Sequence, residues 1–172
     1  MATPKGKVSK ALKYPGQIYP FRAEPEIEEM EVLNDPVVFT EVAASGEYFG
    51  AGERVSIQGE VTATVTSRCA KCLETVSFPL KAELDAQFAR QLDPEDPDLY
   101  SFEGSKADLT DAVRDTLLLE LPYRILCSED CQGLCPHCGV NLNLGTCTCQ
   151  EGTEVMNPFS ALKAIVQMDE EV

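Results

Sequence analysis

The sequence is short of histidine, of basic residues and of long apolar runs. Among its 172 residues there is one histidine, and 14 lysines and arginines stand against 29 aspartates and glutamates. No stretch approaches the apolar length that a membrane-spanning helix needs. The first 20 residues also lack the apolar segment of a secretory signal. We therefore expect a cytoplasmic protein that does not span a membrane.

A single histidine also restricts the chemistry. His137 has no matched partner for acid and base catalysis. The sequence contains neither a glycine-rich phosphate loop nor the nucleophile elbow of hydrolases. Its acidic residues fall in solvated runs rather than in a recognisable catalytic pair. These features favour a non-enzymatic protein without a small-molecule substrate.

The basic residues are unevenly placed along the chain. Five of them precede the first acidic residue, Glu24, so the rest of the chain has 9 basic residues against 29 acidic ones. We assign residues 1–22 to a basic arm that contains Lys5, Lys7, Lys10, Lys13 and Arg22. Such an arm can contact phosphate in a salt-sensitive way. Alternatively, it only solubilises the chain or folds back onto the acidic body.

Alternating apolar residues predict a long antiparallel hairpin. Apolar side chains occupy alternate positions over 55–65, and the alternation resumes over 76–88. The turn between these two strands contains Cys69 and Cys72. Pro79 lacks a backbone N–H, so the second strand is predicted to be an edge strand or to carry a bulge there. A further short strand is predicted at 37–42.

Two helices are predicted after the hairpin, beyond an exposed loop at 93–105. Asp108 is suited to cap the first helix, which ends at Pro122. The apolar face of this helix, expected to cover the hairpin, consists of Leu109, Ala112, Val113, Thr116, Leu117 and Leu121. The second helix is predicted to begin at Asn157, with Pro158 at its first position. Its apolar face packs into the core or, alternatively, docks a partner.

These elements predict an α+β protein. It combines an antiparallel sheet dominated by the long hairpin, a covering helix, a cysteine-rich module resembling a zinc ribbon, and a C-terminal helix. The corresponding segments are the arm at 1–22, a core domain at 23–126, the cysteine-rich module at 127–150 and the terminal helix at 151–172.

Eight cysteines fall into four groups. The groups are Cys69 with Cys72, Cys127 with Cys131, Cys135 with Cys138, and Cys147 with Cys149. In a reducing compartment they favour metal ligation, although an even count also fits the disulfide scaffold of a secreted protein. The CPHCG turn at 135–139 directs two sulfurs to one cation, and zinc takes four tetrahedral ligands.

The spacing leaves the grouping of the ligands open. The first predicted zinc site consists of Cys135, Cys138, Cys147 and Cys149. The last two converge only if the backbone curls between them, so Cys131 can replace one of them. A second site is predicted if the hairpin tip lies beside the exit of the covering helix, and its ligands are Cys69, Cys72, Cys127 and Cys131. Iron–sulfur ligation and thiol redox chemistry at Cys69 and Cys72 are alternatives, and His137 is expected to face solvent.

Three stretches resemble a known family. They are RCAKCLETVSFPL at the hairpin tip, LLLELPYRILCSEDCQGLCPHCGVNLNLGTCTC, and NPFSALKAI near the C-terminus. From about the LKYPG stretch onward the chain resembles the YceD family, also called large ribosomal RNA subunit accumulation proteins. The resemblance implies a non-enzymatic factor in the making or accumulation of large-subunit ribosomal RNA in bacteria, with relatives in plastids. The family's functional residues carry over only to the eight cysteines.

Two kinds of partner are compatible with this resemblance. An acidic body repels RNA, so contact is expected only through basic residues of the arm and of the hairpin tip. The candidates are Lys5, Lys7, Lys10, Lys13, Arg68 and Lys71. A basic ribosomal protein of the large subunit is equally suited to an acidic surface, whereas DNA is disfavoured as the main ligand. The number of zinc ions, the molecular step and the oligomeric state stay open.

Overall fold

A computed structural model describes residues 8–149 of the chain. The chain divides into two units after Cys131. Within the described residues, the first unit holds a β-sheet and two helices, and the second holds the cysteine-rich loops from Gln132 onward. The C-terminal helix predicted from residue 157, together with Lys5 and Lys7, lies outside the described residues.

The sheet is mostly antiparallel. Its strands are β1 (Tyr19–Ala23), β2 (Met30–Val32), β3 (Asp35–Ala51), β4 (Arg54–Arg68), β5 (Thr75–Ala89) and β6 (Leu99–Ser101). The helices are α1 (Val8–Lys13) and α2 (Thr110–Glu120). The strand order is β1-β3-β4-β5-β6, β2 pairs with the start of β3, and β6 runs parallel to β5. The predicted antiparallel sheet with a covering helix is confirmed.

The strands β4 and β5 form the predicted hairpin. They pair without a register shift from Arg54 opposite Ala89 to Arg68 opposite Thr75. Among the described strands, β6 is the other neighbour of β5, and it pairs only with residues 87–89. Pro79 therefore lies on an open edge, where its missing N–H breaks no ladder bond. The edge interpretation is confirmed.

Two parts of the sheet differ from the sequence prediction. The short strand predicted at 37–42 is the 17-residue β3, which continues through glycine, serine and alanine residues that have low strand propensity. Its register shifts between Thr40 and Ala43, where Glu41 has a φ of 53°, as in a β-bulge. The predicted loop at 93–105 contains β6, because Leu99 is buried against the sheet.

The predicted basic arm is a folded segment over its described part. Val8 and Ala11 of α1 are fully buried, and Phe21 of β1 lies in the core. The helix α1 packs against β3 and β4. This agrees with the alternative in which the segment folds back onto the body. The basic side chains of Lys10 and Lys13 remain exposed.

Gly50 allows α1 to approach β3. It is buried, and a Cβ atom at this position would overlap the carbonyl oxygen of Ala11. We expect Gly50→Ala to displace α1 and to lower the free energy of unfolding by about 1–3 kcal/mol. Urea unfolding measures this, with Gly145→Ala as control because its added methyl group meets no atom within 4 Å. Equal losses of stability in both variants would contradict the packing of α1.

The helix α2 covers the hairpin, packing on β5 and β4 with Val113 and Leu117 buried. It begins at Thr110, and the carboxylate of Asp108 accepts hydrogen bonds from the Thr110 hydroxyl at 2.7 Å and the Thr110 N–H at 3.0 Å. The hydroxyl bond lowers the pKa of Asp108. Asp108 thus bonds the first residue of the helix, but the cap position itself is Leu109, one residue later than predicted, and Leu109 makes no side-chain cap hydrogen bond. Neither α1 nor α2 has the length and apolar character needed to cross a membrane.

Candidate metal centres

The eight cysteines lie in two groups of four. The first centre consists of Cys69, Cys72, Cys127 and Cys131, and the second centre consists of Cys135, Cys138, Cys147 and Cys149. In each group the four sulfur atoms lie within 4.8 Å of one another. The structure therefore places Cys131 in the first centre and both cysteines of the CTC stretch in the second.

The first centre joins the hairpin tip to the segment that follows α2. Within the tip, the N–H of Cys69 donates to the carbonyl of Glu74 at 2.8 Å. The N–H of Ala70 donates to the carbonyl of Ile125 at 2.8 Å. The hairpin tip thus lies beside the exit of α2. This was the condition on which the sequence predicted a site with these four ligands. The same contact brings Cys127 and Cys131 to the two hairpin cysteines.

The sulfur spacing of the first centre fits a single tetrahedral ion. The Sγ atoms are 3.8 Å apart between Cys69 and Cys131 and 3.6 Å apart between Cys72 and Cys127. Four thiolates around zinc at about 2.3 Å are separated by about 3.8 Å. A disulfide needs about 2.05 Å, and all eight cysteines are free. In an iron–sulfur cluster the four cysteines bind at least two different iron atoms, so some of their sulfurs lie farther apart.

Lys71 is tied to the first centre. Its Nζ atom donates a hydrogen bond to the carbonyl oxygen of Cys131 at 3.1 Å. The sequence suggested Lys71 as an RNA contact. This bond shows that its ammonium group also contacts the metal-ligand segment. Four thiolates around a divalent ion leave two negative charges, which a nearby cation offsets. A change at Lys71 therefore alters the centre as well as any RNA contact.

Backbone N–H groups prepare one thiol of the first centre for ligation. Burial raises the pKa of Cys69, but hydrogen bonds from the N–H groups of Cys72, Lys71 and Cys127 outweigh it and lower the pKa to about 6. The pKa of Cys72 behaves in the opposite way. The N–H of Glu74 lowers it, whereas burial and hydrogen bonds to neighbouring thiols raise it to about 12.

The second centre has the same asymmetry. The N–H groups of Cys138 and His137 lower the pKa of Cys135 to about 6. Its hydrogen bond with the Cys147 thiol raises the pKa of Cys149 to about 12. Each centre therefore contains one thiol whose pKa is lowered to about 6 and one whose pKa is raised to about 12.

We expect metal binding to release protons. Because the pKa values of Cys72 and Cys149 are about 12, a bound divalent ion must displace these protons near neutral pH. The apparent zinc affinity should rise from about pH 6 to pH 9, with about two or more protons released per ion. Calorimetric titration in buffers of different ionisation enthalpy measures the number. Heats that do not depend on the buffer would contradict the prediction.

Two tight loops of the second unit form the second centre. The N–H of Gly139 donates to the carbonyl of Cys135 at 2.9 Å. The Sγ of Cys147 lies 3.3 Å from that of Cys135 and 3.6 Å from that of Cys138. The N–H of Cys149 donates to the Sγ of Cys147 at 3.2 Å. This last bond shows that the backbone curls between Cys147 and Cys149. Two cysteines separated by one residue need such a curl to direct both sulfurs to one ion.

The two CxxC turns share one backbone conformation. In each, the N–H four residues after the first cysteine donates to its carbonyl at 2.9 Å. The donor residue has a positive φ in both turns, 62° at Leu73 and 73° at Gly139. Glycine adopts this conformation freely, whereas leucine adopts it at a cost of about 1–2 kcal/mol. The turn at Gly139 can therefore be predicted from its glycine, whereas no residue type in the sequence indicates the turn at Leu73.

The two centres differ in exposure. In the first centre only Cys127 is exposed, whereas in the second centre only Cys135 is buried. His137 contributes its backbone N–H to the Cys135 sulfur at 3.4 Å, and its side chain is exposed as expected. The second centre is therefore the more accessible to chelators.

A family model and named plant relatives indicate the same family. The family model described as "Large ribosomal RNA subunit accumulation protein YceD" matches residues 57–166, more than half of the chain. An uncharacterised protein of Mycobacterium leprae is 33% identical over 96 residues, which cover 52% of this chain and 44% of the relative. An uncharacterised protein of Bacillus subtilis is 27% identical over 129 residues, which cover 73% of this chain and 75% of the relative.

A plant relative has a functional name. The Arabidopsis thaliana protein "Large ribosomal RNA subunit accumulation protein YCED homolog 1, chloroplastic" is 31% identical over 81 residues, covering 46% of this chain and 25% of the relative. The match spans less than half the length of the M. leprae and A. thaliana relatives. No solved structure matches the chain.

Proposed function

Because the chain belongs to the YceD family, we propose that it is a non-enzymatic factor for the accumulation of large-subunit ribosomal RNA during ribosome biogenesis. The observation that carries this proposal is the family match over residues 57–166, which includes both cysteine centres. The name of the A. thaliana relative supports the same process. The proposed role is to bind and hold an assembly intermediate.

We assign one zinc ion to each centre. Four thiolates in a tetrahedral arrangement are a donor set typical of structural zinc, because they leave no position for water or substrate. At the first centre the ion would fasten the hairpin tip to residues 127–131. At the second it would order a module resembling a zinc ribbon, whose described part has few buried apolar residues. Elemental analysis and native mass measurement of the full chain test the metal and its stoichiometry.

The proposed RNA contacts are basic side chains that stay exposed and are not bonded to a metal centre, which sets Lys71 aside. Lys10, Lys13 and Arg68 meet this condition among the described candidates. Replacing all three by glutamine is expected to weaken binding to large-subunit ribosomal RNA fragments by at least about tenfold and to reduce its salt dependence. Lys81→Gln is the matched control, because Lys81 pairs with Glu60 at 2.6 Å.

Cells that lack the protein provide the test of the function itself. The wild-type gene should restore the ratio of large-subunit to small-subunit ribosomal RNA, and the triple glutamine variant should restore it incompletely. An unchanged ratio in cells without the protein would contradict the proposed function. Unchanged RNA binding by the triple variant would contradict only the assignment of the contacts.

One observation favours a different partner. Four carboxylates line a cavity of about 500 Å³ beside α2, those of Glu26, Glu28, Asp108 and Asp111. A surface of this charge suits a basic ribosomal protein, so an acidic adaptor is the second candidate function. Retention of a basic large-subunit protein by a chain that binds no RNA would favour the adaptor.

Thiol redox chemistry is the enzymatic alternative. The lowered pKa of Cys69 is also a feature of redox thiols. However, Cys69 is fully buried and Cys72 is only 4% exposed, and both lie within four clustered sulfurs. We therefore assign them to metal ligation. Reduction of a disulfide substrate with turnover by the zinc-loaded protein would contradict this assignment.

A further inference from the structure

We propose that a groove beside the hairpin tip binds single-stranded RNA, an inference that rests on the proposed function and names the form of RNA and the side chains that hold it. The groove has a volume of about 380 Å³ and lies between β5 and the chain that leaves α2. Its apolar lining is formed by Phe78, Pro122, Ile125 and Leu126, and Arg124 is its basic side chain.

The positive charge of Arg124 favours a partner that carries phosphate groups. Among the described residues, Arg22, Arg54 and Arg114 pair with carboxylates at 3.4, 2.6 and 2.7 Å. Arg124 has no such partner within that part of the chain, and it is exposed. In a protein with 29 acidic and 14 basic residues, an unpaired guanidinium is available for a phosphate group. A basic protein segment would be repelled at the same place.

The neighbouring tyrosine favours unpaired bases. The ring of Tyr123 is 87% exposed, and the guanidinium carbon of Arg124 lies 6.0 Å from its centroid. An exposed ring beside a guanidinium that pairs with no carboxylate among the described residues can stack a base while the cation holds the adjacent phosphate. In duplex RNA the base faces are already stacked and cannot reach the ring. The pair is therefore suited to single strands.

The groove itself extends the stacking surface. Phe78 is half-buried on the open edge of β5, so its ring borders the groove where no other described strand covers it. The apolar walls suit the face of a base, which carries no charge. Glu129 also lines the groove and repels phosphate. We therefore assign one or two nucleotides to the groove rather than a long tract.

The first centre holds the groove in place. Ile125 accepts the hydrogen bond from Ala70 at 2.8 Å, and Cys127 follows two residues later in the metal-ligand group. The wall formed by residues 122–126 is thus fixed at one end by the hairpin tip. This arrangement gives the metal centre a positioning role for RNA contact.

Binding of a mixed-sequence RNA tests the inference. The probe is a single strand of about 12 nucleotides, a typical length for such sites, compared with the same strand annealed to its complement. The full zinc-loaded chain should bind the single strand more tightly. Tyr123→Ala should weaken this binding about tenfold, and Tyr123→Phe should not, because it keeps the ring. Arg124→Gln should reduce the salt slope by about one phosphate contact.

Matched variants separate this site from a general loss of structure. Leu119 is 88% exposed, so Leu119→Ala removes a similarly exposed apolar side chain of α2 and should bind like the wild type. Lys81→Gln removes a basic side chain of β5 that is paired with Glu60 and should also bind like the wild type. Zinc content and thermal unfolding of every variant should equal those of the wild type.

Three results would overturn the inference. One is equal binding of single strand and duplex, and another is wild-type affinity in Tyr123→Ala. The third is a loss of binding to a basic ribosomal protein in Tyr123→Ala while RNA binding is unchanged. If RNA binding survives in Tyr123→Ala and is lost when Lys10, Lys13 and Arg68 are replaced, only the groove assignment fails. A wild-type protein that binds neither form of RNA would remove the proposed RNA contact as well.

Discussion

Replacing Cys69 by serine is expected to reduce the bound zinc from two ions to one per chain and to lower the stability of the first unit. Cys69 is fully buried, and its sulfur lies 3.8 Å from that of Cys131. A serine hydroxyl is a poor zinc ligand and leaves three thiols, two of them buried, without a cation. We expect a loss of about 3 kcal/mol or more in the free energy of unfolding. Native mass measurement and thermal unfolding give the two values.

Cys138→Ser is the matched control for this variant. Cys138 is an exposed ligand of the second centre, so its replacement should also remove one ion. The unfolding of the first unit should nevertheless remain as in the wild type, since its sheet contains no ligand of the second centre. Retention of two ions by Cys69→Ser would show that the first centre does not bind metal. Equal destabilisation of the first unit by both variants would contradict the separate roles.

Chelation is expected to remove the two ions at different rates. Three cysteines of the first centre are buried, whereas only one is buried in the second. Because the protein shell controls the access of solvent and competing ligands to a metal, the second centre should lose its ion at least about tenfold faster. A colorimetric zinc indicator, mixed with the protein and an excess of chelator, records the two phases.

The cysteine variants assign the phases to the centres. Cys138→Ser should show only the slow phase, and Cys69→Ser only the fast phase. The hairpin should keep its β-sheet circular dichroism through the fast phase and lose part of it in the slow phase. Release of both ions in one phase, or a fast phase that persists in Cys138→Ser, would contradict the difference in accessibility.

The hairpin could be predicted from sequence because its burial is one-sided. Alternate residues of β4 and β5 face the core, and the structure pairs them in a continuous register from Arg54 to Arg68. The same logic located α2 from its apolar spacing. A two-residue or helical period is a local signal, so neither prediction needed knowledge of distant contacts.

The extent of β3 and the folding of α1 could not be predicted in the same way. In β3, Gly46 and Gly50 have no side chain to show a pattern, and Gly50 is required by its close approach to Ala11. The α1 segment has its lysines exposed, and its fully buried residues, Val8 and Ala11, are small. In both places the decisive contacts are between residues far apart in the chain.

The cysteine spacing predicted two groups of four, but it left Cys131 between them. Cys131 is only four residues from Cys135, so the sequence allowed it to replace a ligand of the second centre. The structure decides through the hydrogen bond from Ala70 to Ile125, which carries the whole 127–131 segment to the hairpin tip. Such a contact depends on where α2 ends in space, which no local pattern encodes.

The separation of the paired sulfurs along the chain sets an order of assembly during translation. Cys135 and Cys147 are 12 residues apart, whereas Cys69 and Cys131 are 62 residues apart. Closing the longer loop costs about 1.5 kcal/mol more in chain entropy, and it also needs β4, β5 and α2 in place. The second centre can therefore close as soon as its own short stretch has left the ribosome. A metal ion bound in the first centre would then mark a chain whose sheet is already complete.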